Sequence, residues 1–286
     1  MADCTGVIAQ LFIYPVKSCA GIELSVSDVT ACGLKWDREW MIVDQTGQFL
    51  TQRQIPHMVW IVPLLTDTAL ILSAPNCPTI EVPFATAGVA RPVSIWNDTV
   101  LGDDMGDEIA AWLDAFLAVP GKQFRLVRFS AQSRRLSSTQ WTQGVEAPNQ
   151  FSDGFAVNIV TQSALDALNE RLGDAGGEPV SIHRFRPNIV IEGLEPHEED
   201  NLDTLTIHTV TGAVEFVLVK PCPRCAIPNI DPYTASSSPE VGLTLAEYRS
   251  LARMDGAICF AMNAIVRSGA GRTLHTGSPF DADFAI

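Results

Sequence analysis

Two cysteines spaced C-x-x-C, Cys222 and Cys225, are the residues whose types and spacing most directly suggest chemistry. They lie in the segment VKPCPRCAIPNIDP, which also carries Asp231. Such a pair can form a redox disulfide, supply half of a zinc site, or present one thiolate to the metal of a cofactor. The two cysteines can also simply pack as small apolar residues at the end of a strand.

The surrounding sequence favours a single ligand thiolate. Redox C-x-x-C pairs usually open a helix, whose N-terminal dipole lowers the thiol pKa, whereas Pro228 and Pro232 follow here in a segment of little helical character. A structural zinc site needs four ligands, and the chain has no second C-x-x-C. Arg224 is expected to favour the thiolate form of Cys225, and Asp231 adds a carboxylate close in sequence.

Several of the 19 Lys and Arg residues occur at the ends of predicted strands, beside Ser, Thr or Asn. Arg can bind a phosphate through two parallel hydrogen bonds, which Lys cannot do. Each of these cations alone is more simply explained as a solvated charge or a local ion pair, but together they indicate an anion-binding site. The residues concerned are Lys17 beside Ser18, Arg53, and Arg184 and Arg186 on either side of Phe185.

The composition limits the classes of protein that the chain can represent. Its net charge of −14 argues against a nucleic-acid partner, because phosphate backbones are bound by clustered Lys and Arg, and against adhesion to anionic membranes. No basic leader precedes the short first strand, and no apolar stretch is long enough to span a bilayer. Seven cysteines, five of them scattered singly, indicate a reducing compartment. We therefore expect a cytoplasmic protein with no membrane partner.

The elements that must position these residues are mostly strands. Short, closely spaced strands in the first hundred residues predict a barrel or sandwich, with hairpins at DQTG and TDT. The segment GDEIAAWLDAFLAVPG, residues 106–121, carries Ile109, Trp112, Leu113 and Phe116 on one helical face, and Pro120-Gly121 ends that helix. Residues 130–153 predict a long loop, functional or disordered. Further strands and two helices follow, and a domain boundary is expected near residues 118–122.

Five separated motifs give the chain a family resemblance. LFIYPVKSCAGIELS, DREWMIVD, TQRQ, FRPNIVIEG and CPRCAIPNIDP occur in the order found in MOSC-domain proteins. The chain is similar to the subgroup with an N-terminal MOSC β-barrel domain, which includes the mitochondrial amidoxime-reducing component and its bacterial relatives. The resemblance implies a β-rich α+β fold, with an N-terminal β-barrel-like domain over residues 1–120 and a MOSC β-barrel domain with a few helices over residues 121–286.

The resemblance also implies a molybdenum cofactor, a pterin whose dithiolene sulfurs hold the metal. The second cysteine of C-x-R-C, here Cys225, would bind molybdenum, which suits a soft thiolate. Asp231 matches the acidic residue of the family's V-D-P motif. The residues that correspond to the family's pterin and phosphate contacts are Lys17, Ser18, Arg53, Arg186 and Asn188, with Thr161 or Ser163 as a hydroxyl contact.

The implied activity is the two-electron reduction of small N-hydroxylated compounds, such as amidoximes and hydroxylamines. Asp231 or a water molecule is the candidate proton shuttle. No run of closely spaced cysteines follows Cys225, so we expect electrons from a separate donor, such as a cytochrome b5-like, ferredoxin-like or flavin reductase protein. Pro228 and Asn229 stand where the amidoxime-reducing members have two threonines, which is a departure from the family pattern.

Two other functions remain open at the level of sequence. MOSC domains also end pyridoxal-phosphate-dependent cofactor sulfurases, so Cys225 or Cys222 could carry a persulfide in a sulfur-transfer protein. Family-level annotation often mentions pyridoxal phosphate, but this chain shows no convincing lysine-containing site for it. The third possibility is a non-catalytic carrier that binds the pterin and reduces no N-hydroxylated substrate.

Overall fold

The computed structural model describes residues 2–285. It is rich in strands, with 42% of residues in strands and 18% in helices. The strands up to residue 129 are β1 (Cys4–Ile13), β2 (Ile22–Leu24), β3 (Val26–Thr30), β4 (Gly33–Leu34), β5 (Trp40–Asp44), β6 (Val62–Leu65), β7 (Ala69–Ser73), β8 (Ile80–Pro83), β9 (Val89–Ile95), β10 (Asp98–Asp104) and β11 (Phe124–Phe129).

The strands after residue 129 include the short β12 and β13 of the long loop and the strands of the barrel. They are β12 (Arg135–Leu136), β13 (Pro148–Asn149), β14 (Val157–Thr161), β15 (Ile189–Glu192), β16 (Leu202–Thr209), β17 (Gly212–Pro223), β18 (Ser250–Leu251), β19 (Ala257–Ser268), β20 (Thr273–His275) and β21 (Pro279–Phe284). The α-helices in the described part of the chain are α1 (Asp107–Leu117), α2 (Gln162–Asp174) and α3 (Glu240–Tyr248).

Seven strands close into a barrel in the order β14-β15-β1-β21-β16-β17-β19, and β19 pairs back onto β14. The β14–β15 pair is parallel. Val214, Phe216 and Leu218 of β17 are buried and alternate with more exposed residues, as expected for a strand with one face in a barrel core. Helices α2 and α3 bury Leu168 and Leu245 in a second cluster on the outside of the barrel.

The first part of the chain adds a four-stranded sheet in the order β5-β11-β10-β9 and a three-stranded sheet formed by β6, β7 and β8. Helix α1 packs Ile109, Trp112 and Leu113 against the cluster that these sheets share. Strand β1, by contrast, belongs to the barrel of the second half, where it pairs with β15 and β21. The division into domains at residue 120 stays a prediction.

The predicted class, β-rich α+β with a barrel, is confirmed. The helix at 107–117 and the TDT hairpin formed by β6 and β7 have the predicted positions. The hairpin at DQTG forms over a few residues: Val43 bridges Phe49, and backbone hydrogen bonds join Asp44 to Gln48 and Leu50 to Ile42, while β5 pairs along its length with β11. The main partner of β5 is thus β11, a strand about eighty residues further along the chain, and local sequence cannot indicate such a distant pairing.

Candidate cofactor cleft

A cleft of about 270 Å³ lies where the ends of barrel strands meet the first part of the chain. Its lining is strongly cationic although the whole chain has a net charge of −14. Among residues 2–285, Asp153 is the only acidic residue in this lining. The cationic lining residues are Lys17, Arg38, Arg53, Arg184, Arg186 and Arg224. Such a concentration of positive charge is typical of a site for an anionic ligand.

Six of the nine residues predicted for the site line this cleft. They are Lys17, Ser18, Arg53, Arg186, Asn188 and Cys225. Although they are dispersed over more than two hundred positions of the sequence, the barrel strands bring them to one place. Thr161, Ser163 and Asp231 do not line the cleft.

Lys17 follows β1 and is buried, with 5% of its surface exposed. Its ammonium donates hydrogen bonds to the carbonyl of Phe151, at 2.9 Å, and to the carboxylate of Asp153. Burial lowers the pKa of Lys17, and the neighbouring Asp153 opposes that shift. An ammonium has three donors, and the third N–H of Lys17 has no hydrogen-bond partner within residues 2–285.

Arg53 is exposed and its side-chain position is set by two neighbours. Its guanidinium stacks 4.8 Å from the ring centroid of Trp96, and its Nε donates to Thr51 Oγ1 at 3.4 Å. Trp96 lies in the turn between β9 and β10 and donates its Nε1–H to Asp153 at 3.1 Å. The two Nη groups of Arg53 have no hydrogen-bond partner within residues 2–285, so they can bind an anion as a pair.

Arg186 and Asn188 precede β15 and meet Arg38 from the first part of the chain. Arg38 donates to Asn188 Oδ1 at 3.1 Å and to the carbonyl of Arg186 at 3.0 Å. Arg186 has a left-handed backbone, with φ of 53°, and its Nη1 donates to Cys19 O at 2.7 Å. Its Nη2 is buried and has no partner in the described chain. Burial lowers the pKa of Arg186 to about 10, so an anion beside it would stabilise its charge.

Cys225 is exposed at the cleft, whereas Cys222 is half-buried near the end of β17. Burial raises the pKa of Cys222, and the charge of Arg224 opposes that rise. Arg224 donates to the carbonyls of Phe260, at 2.9 and 2.7 Å, and of Phe185, at 2.9 Å. All seven cysteines, which lie within the described residues, are free thiols. Arg224 therefore fixes the cysteine loop to the barrel, a role that its place beside Cys225 did not indicate.

Asp231 has a structural place in the turn that follows the cysteine loop. Its Oδ1 accepts hydrogen bonds from the amides of Tyr233, at 2.8 Å, and Thr234, at 2.9 Å, and its Oδ2 accepts one from Arg184 at 2.8 Å. Desolvation opposes ionisation of Asp231, but the two amides and Arg184 outweigh it and hold the carboxyl pKa below its usual value. An ionised group with these fixed partners is poorly suited to deliver a proton.

The two hydroxyl candidates also have other partners. Thr161 ends β14, caps α2 by accepting a hydrogen bond from the amide of Ala164, and donates to Glu199 Oε2 at 2.8 Å. Ser163 donates to the carbonyl of Leu194 at 2.8 Å. Both side chains therefore stabilise the start of α2 and its neighbours, and they stay outside the cleft.

Sequence reasoning missed several polar lining residues, among them Arg38, Trp96, Asp153 and Asn158. Asp153 closes the long loop predicted at residues 130–153, and the loop is held by Arg135. That guanidinium donates to the carbonyls of Gln150, Ser152 and Asp153 at 2.9, 2.6 and 3.1 Å. The loop is therefore ordered around a buried arginine and carries its last residues into the cleft. The length of the loop was the one signal in the sequence for this role.

Comparisons with known proteins agree with this architecture. Residues 5–120 match the MOSC N-terminal beta barrel domain and residues 146–277 match the MOSC domain. Mitochondrial amidoxime reducing component 2 of Bos taurus is 32% identical over 85% of this chain and 72% of its own length. Mitochondrial amidoxime-reducing component 1 of Homo sapiens is 34% identical over the same shares of the two chains.

A further relative, the molybdenum cofactor sulfurase of Drosophila pseudoobscura pseudoobscura, is 32% identical over 85% of this chain but only 31% of its own length. On these matches, the chain belongs to the MOSC-domain family whose members carry an N-terminal MOSC β-barrel domain. Within that family it is similar to the amidoxime-reducing components. No helix among residues 2–285 is long and apolar enough to cross a membrane.

Proposed function

We propose that this protein binds a molybdenum cofactor and reduces small N-hydroxylated compounds with electrons from a separate donor protein. The observation that carries the proposal is the exposed thiol of Cys225 at a cleft whose charged lining residues are six cations and one carboxylate. The family relationship supports the reaction class, because the similar proteins are named for amidoxime reduction. A cytoplasmic location stays a prediction.

The cleft residues fit an anionic pterin. Arg186 carries a buried donor without a partner, Arg53 has both Nη groups free of partners within the described chain, and Lys17 has one N–H to give. Together these groups would hold the phosphate and the polar edge of the pterin. Cys225 would supply a thiolate ligand to the metal, since soft thiolates suit a metal already bound by sulfur.

The cofactor supplies the two-electron chemistry when it is bound. The chain itself orients that group through Lys17, Arg53 and Arg186, and it holds the cysteine loop in place through Arg224 and the Arg184–Asp231 pair. The hydrogen bonds of Asp231 suit a residue that holds the cysteine loop in place. The proton that leaves in the product water would therefore come from solvent at the exposed cleft. Of the two proton shuttles that the sequence analysis considered, Asp231 and a water molecule, the proposal therefore takes the water.

The test is metal and pterin analysis of protein produced in a host that makes the cofactor. We expect near-stoichiometric molybdenum in the wild type, its loss in Cys225→Ala and its retention in Cys222→Ala. Turnover of a panel of N-hydroxylated compounds with a chemical reductant should follow the metal content. Full metal retention in Cys225→Ala, or no turnover by fully loaded protein, would contradict the proposal.

A second candidate function is sulfur transfer through a persulfide. The exposure of Cys225 and the similarity to a molybdenum cofactor sulfurase favour it. In this case mass spectrometry of the purified protein would show a species heavier by one sulfur atom on Cys225, without molybdenum. A protein that carries molybdenum and no extra sulfur would exclude this candidate.

A further inference from the structure

A second cavity, of about 530 Å³, adjoins the cofactor cleft and shares Arg184, Arg186 and Ile227 with it. Segments before residue 76 form one side of this cavity. The residues around Arg184 and the turn after Cys225 form the other side. Its volume lies in the range of small-molecule binding sites, which is roughly 300–1,000 Å³. We call it the side cavity.

The walls of the side cavity are mainly apolar and include three aromatic residues, one of which is Tyr14. Val59, Val62 and Ile230 line it together with Trp60 and Tyr233. The indole Nε1–H of Trp60 donates to the carbonyl of Tyr233 at 2.9 Å, which joins the two sides. Walls of this kind bind flat ring systems well, because aromatic rings gain both apolar burial and favourable ring contacts there.

The charged residues that line the side cavity are both cations, Arg184 and Arg186. None of the described residues in its lining is Asp or Glu. Arg184 is already paired with Asp231, but Arg186 Nη2 is buried without a partner within residues 2–285. The hydroxyl of Tyr14, a residue only 1% exposed, likewise has no partner in that range. Burial lowers the pKa of the lining residue His183, so its imidazole is neutral at pH 7 and can donate one hydrogen bond.

The cation of Arg186 is stacked on Tyr14, with its Cζ 4.1 Å from the ring centroid, and it is not neutralised by any carboxylate of the lining. A buried charge without a partner costs free energy, and an anion that reaches it recovers part of that cost. A carboxylate is the anion that suits a site with one arginine N–H, one phenol and one imidazole as donors, because its two oxygens accept several hydrogen bonds.

We propose that the side cavity binds a ring-containing carboxylate, with the ring among the apolar walls and the carboxylate against Tyr14, His183 and Arg186. Arg186 Nη2 carries two N–H groups, so in the reductase proposed above one can bind the pterin and the other this carboxylate, which would belong to the non-reacting part of the substrate. Only that last assignment rests on the proposed function, because binding to the side cavity needs no cofactor.

The test is isothermal titration calorimetry with the full chain produced without cofactor, using 2-naphthoate and the matched alcohol 2-naphthylmethanol as probes. We expect the acid to bind about ten- to hundredfold more tightly than the alcohol, as hydrogen bonds to a charged group imply. Tyr14→Phe should weaken binding of the acid about three- to tenfold. Val62→Trp and Ala74→Trp, which place bulk in the side cavity, should abolish binding while thermal unfolding shows that each variant is folded.

Two controls locate the bound acid. Tyr248→Phe removes another buried hydroxyl without a partner in the described chain, on a residue that does not line this cavity, and should leave the affinity unchanged. Arg53→Ala alters only the cofactor cleft and should also leave it unchanged. Equal affinity for acid and alcohol, unchanged binding in both tryptophan variants, or loss of binding in Arg53→Ala would overturn the proposal. Molybdenum content and turnover test the reductase separately.

Discussion

Arg184 Nη2 lies 2.8 Å from Asp231 Oδ2, and this ion pair joins the segment before β15 to the turn after the cysteine loop. Arg184 also donates to the carbonyl of Pro228 at 3.3 Å. The same guanidinium lines both the cofactor cleft and the side cavity. Arg184 therefore holds the loop that carries Cys225 and also borders both proposed binding sites.

Asp231 is expected to act by position and not by proton transfer. Asp231→Asn keeps an oxygen that accepts from the amides of Tyr233 and Thr234, so activity should fall by much less than the roughly hundredfold or more that loss of a general acid costs, and the pH profile should keep its shape. Asp231→Ala removes all three bonds and should lower the free energy of unfolding by about 1–3 kcal/mol. Steady-state kinetics over a range of pH and chemical denaturation measure these effects. If Asp231→Asn lost one limb of the pH profile, the carboxylate would be the proton shuttle after all.

The free guanidinium of Arg53 is expected to contribute directly to cofactor affinity. Arg53→Ala should weaken binding of the phosphate-bearing pterin by about ten- to hundredfold, because a hydrogen bond to a charged group is lost. The matched control is Arg134→Ala, which removes another exposed arginine, paired with Glu146 outside the cleft. The measurement is cofactor retained after dialysis. Equal retention in the two variants would show that Arg53 does not contact the cofactor.

Glu199 is expected to make stability depend on pH. The carboxyl is fully buried, and burial, together with the charge of Asp200, raises its pKa from 4.5 to about 7. The folded protein therefore holds this proton more tightly than the unfolded chain, so stability contributed by Glu199 is complete below about pH 4.5 and is lost as pH rises through about 7.

Glu199→Gln should remove this dependence while keeping an oxygen that accepts from Thr161. At pH 8 we expect the variant to be more stable than the wild type by about 1–3 kcal/mol, since one pKa unit corresponds to about 1.4 kcal/mol. The two proteins should become similar near pH 5. Thermal unfolding across this pH range provides the measurement, and parallel stability curves for the two proteins would contradict the assignment.

The cysteines are expected to differ strongly in reactivity. Cys225 is exposed, whereas Cys19 and Cys259 are buried and burial raises the pKa of their thiols to about 12 and about 11. Iodoacetamide should modify Cys225 in the cofactor-free protein at least tenfold faster than either buried thiol. Peptide mapping by mass spectrometry measures the rates. Labelling of Cys19 as fast as Cys225 would mean that this part of the structure opens in solution.

The sequence by itself determined the strand-rich class, the amphipathic helix α1 and the motifs that carry the family resemblance, because these depend on local periodicity and residue type. The family resemblance predicted that Lys17, Arg53 and Cys225 share one site, and all three line the same cleft. What the sequence could not supply was the partner of each polar group. Thr161 and Asp231 carry suitable side chains, yet their hydrogen bonds are made elsewhere.

Only the tertiary structure decided which polar groups face the cleft. Asp153 and Arg38 reach it because a long loop is held by Arg135 and because Arg38 meets the segment before β15, more than a hundred residues away. Arg224 lies beside Cys225 in the chain and lines the cleft, but its guanidinium donates to the backbone carbonyl of Phe260. Hydrogen bonds and ion pairs act over a few ångströms between residues distant in sequence, so these roles follow from barrel closure and not from neighbouring positions.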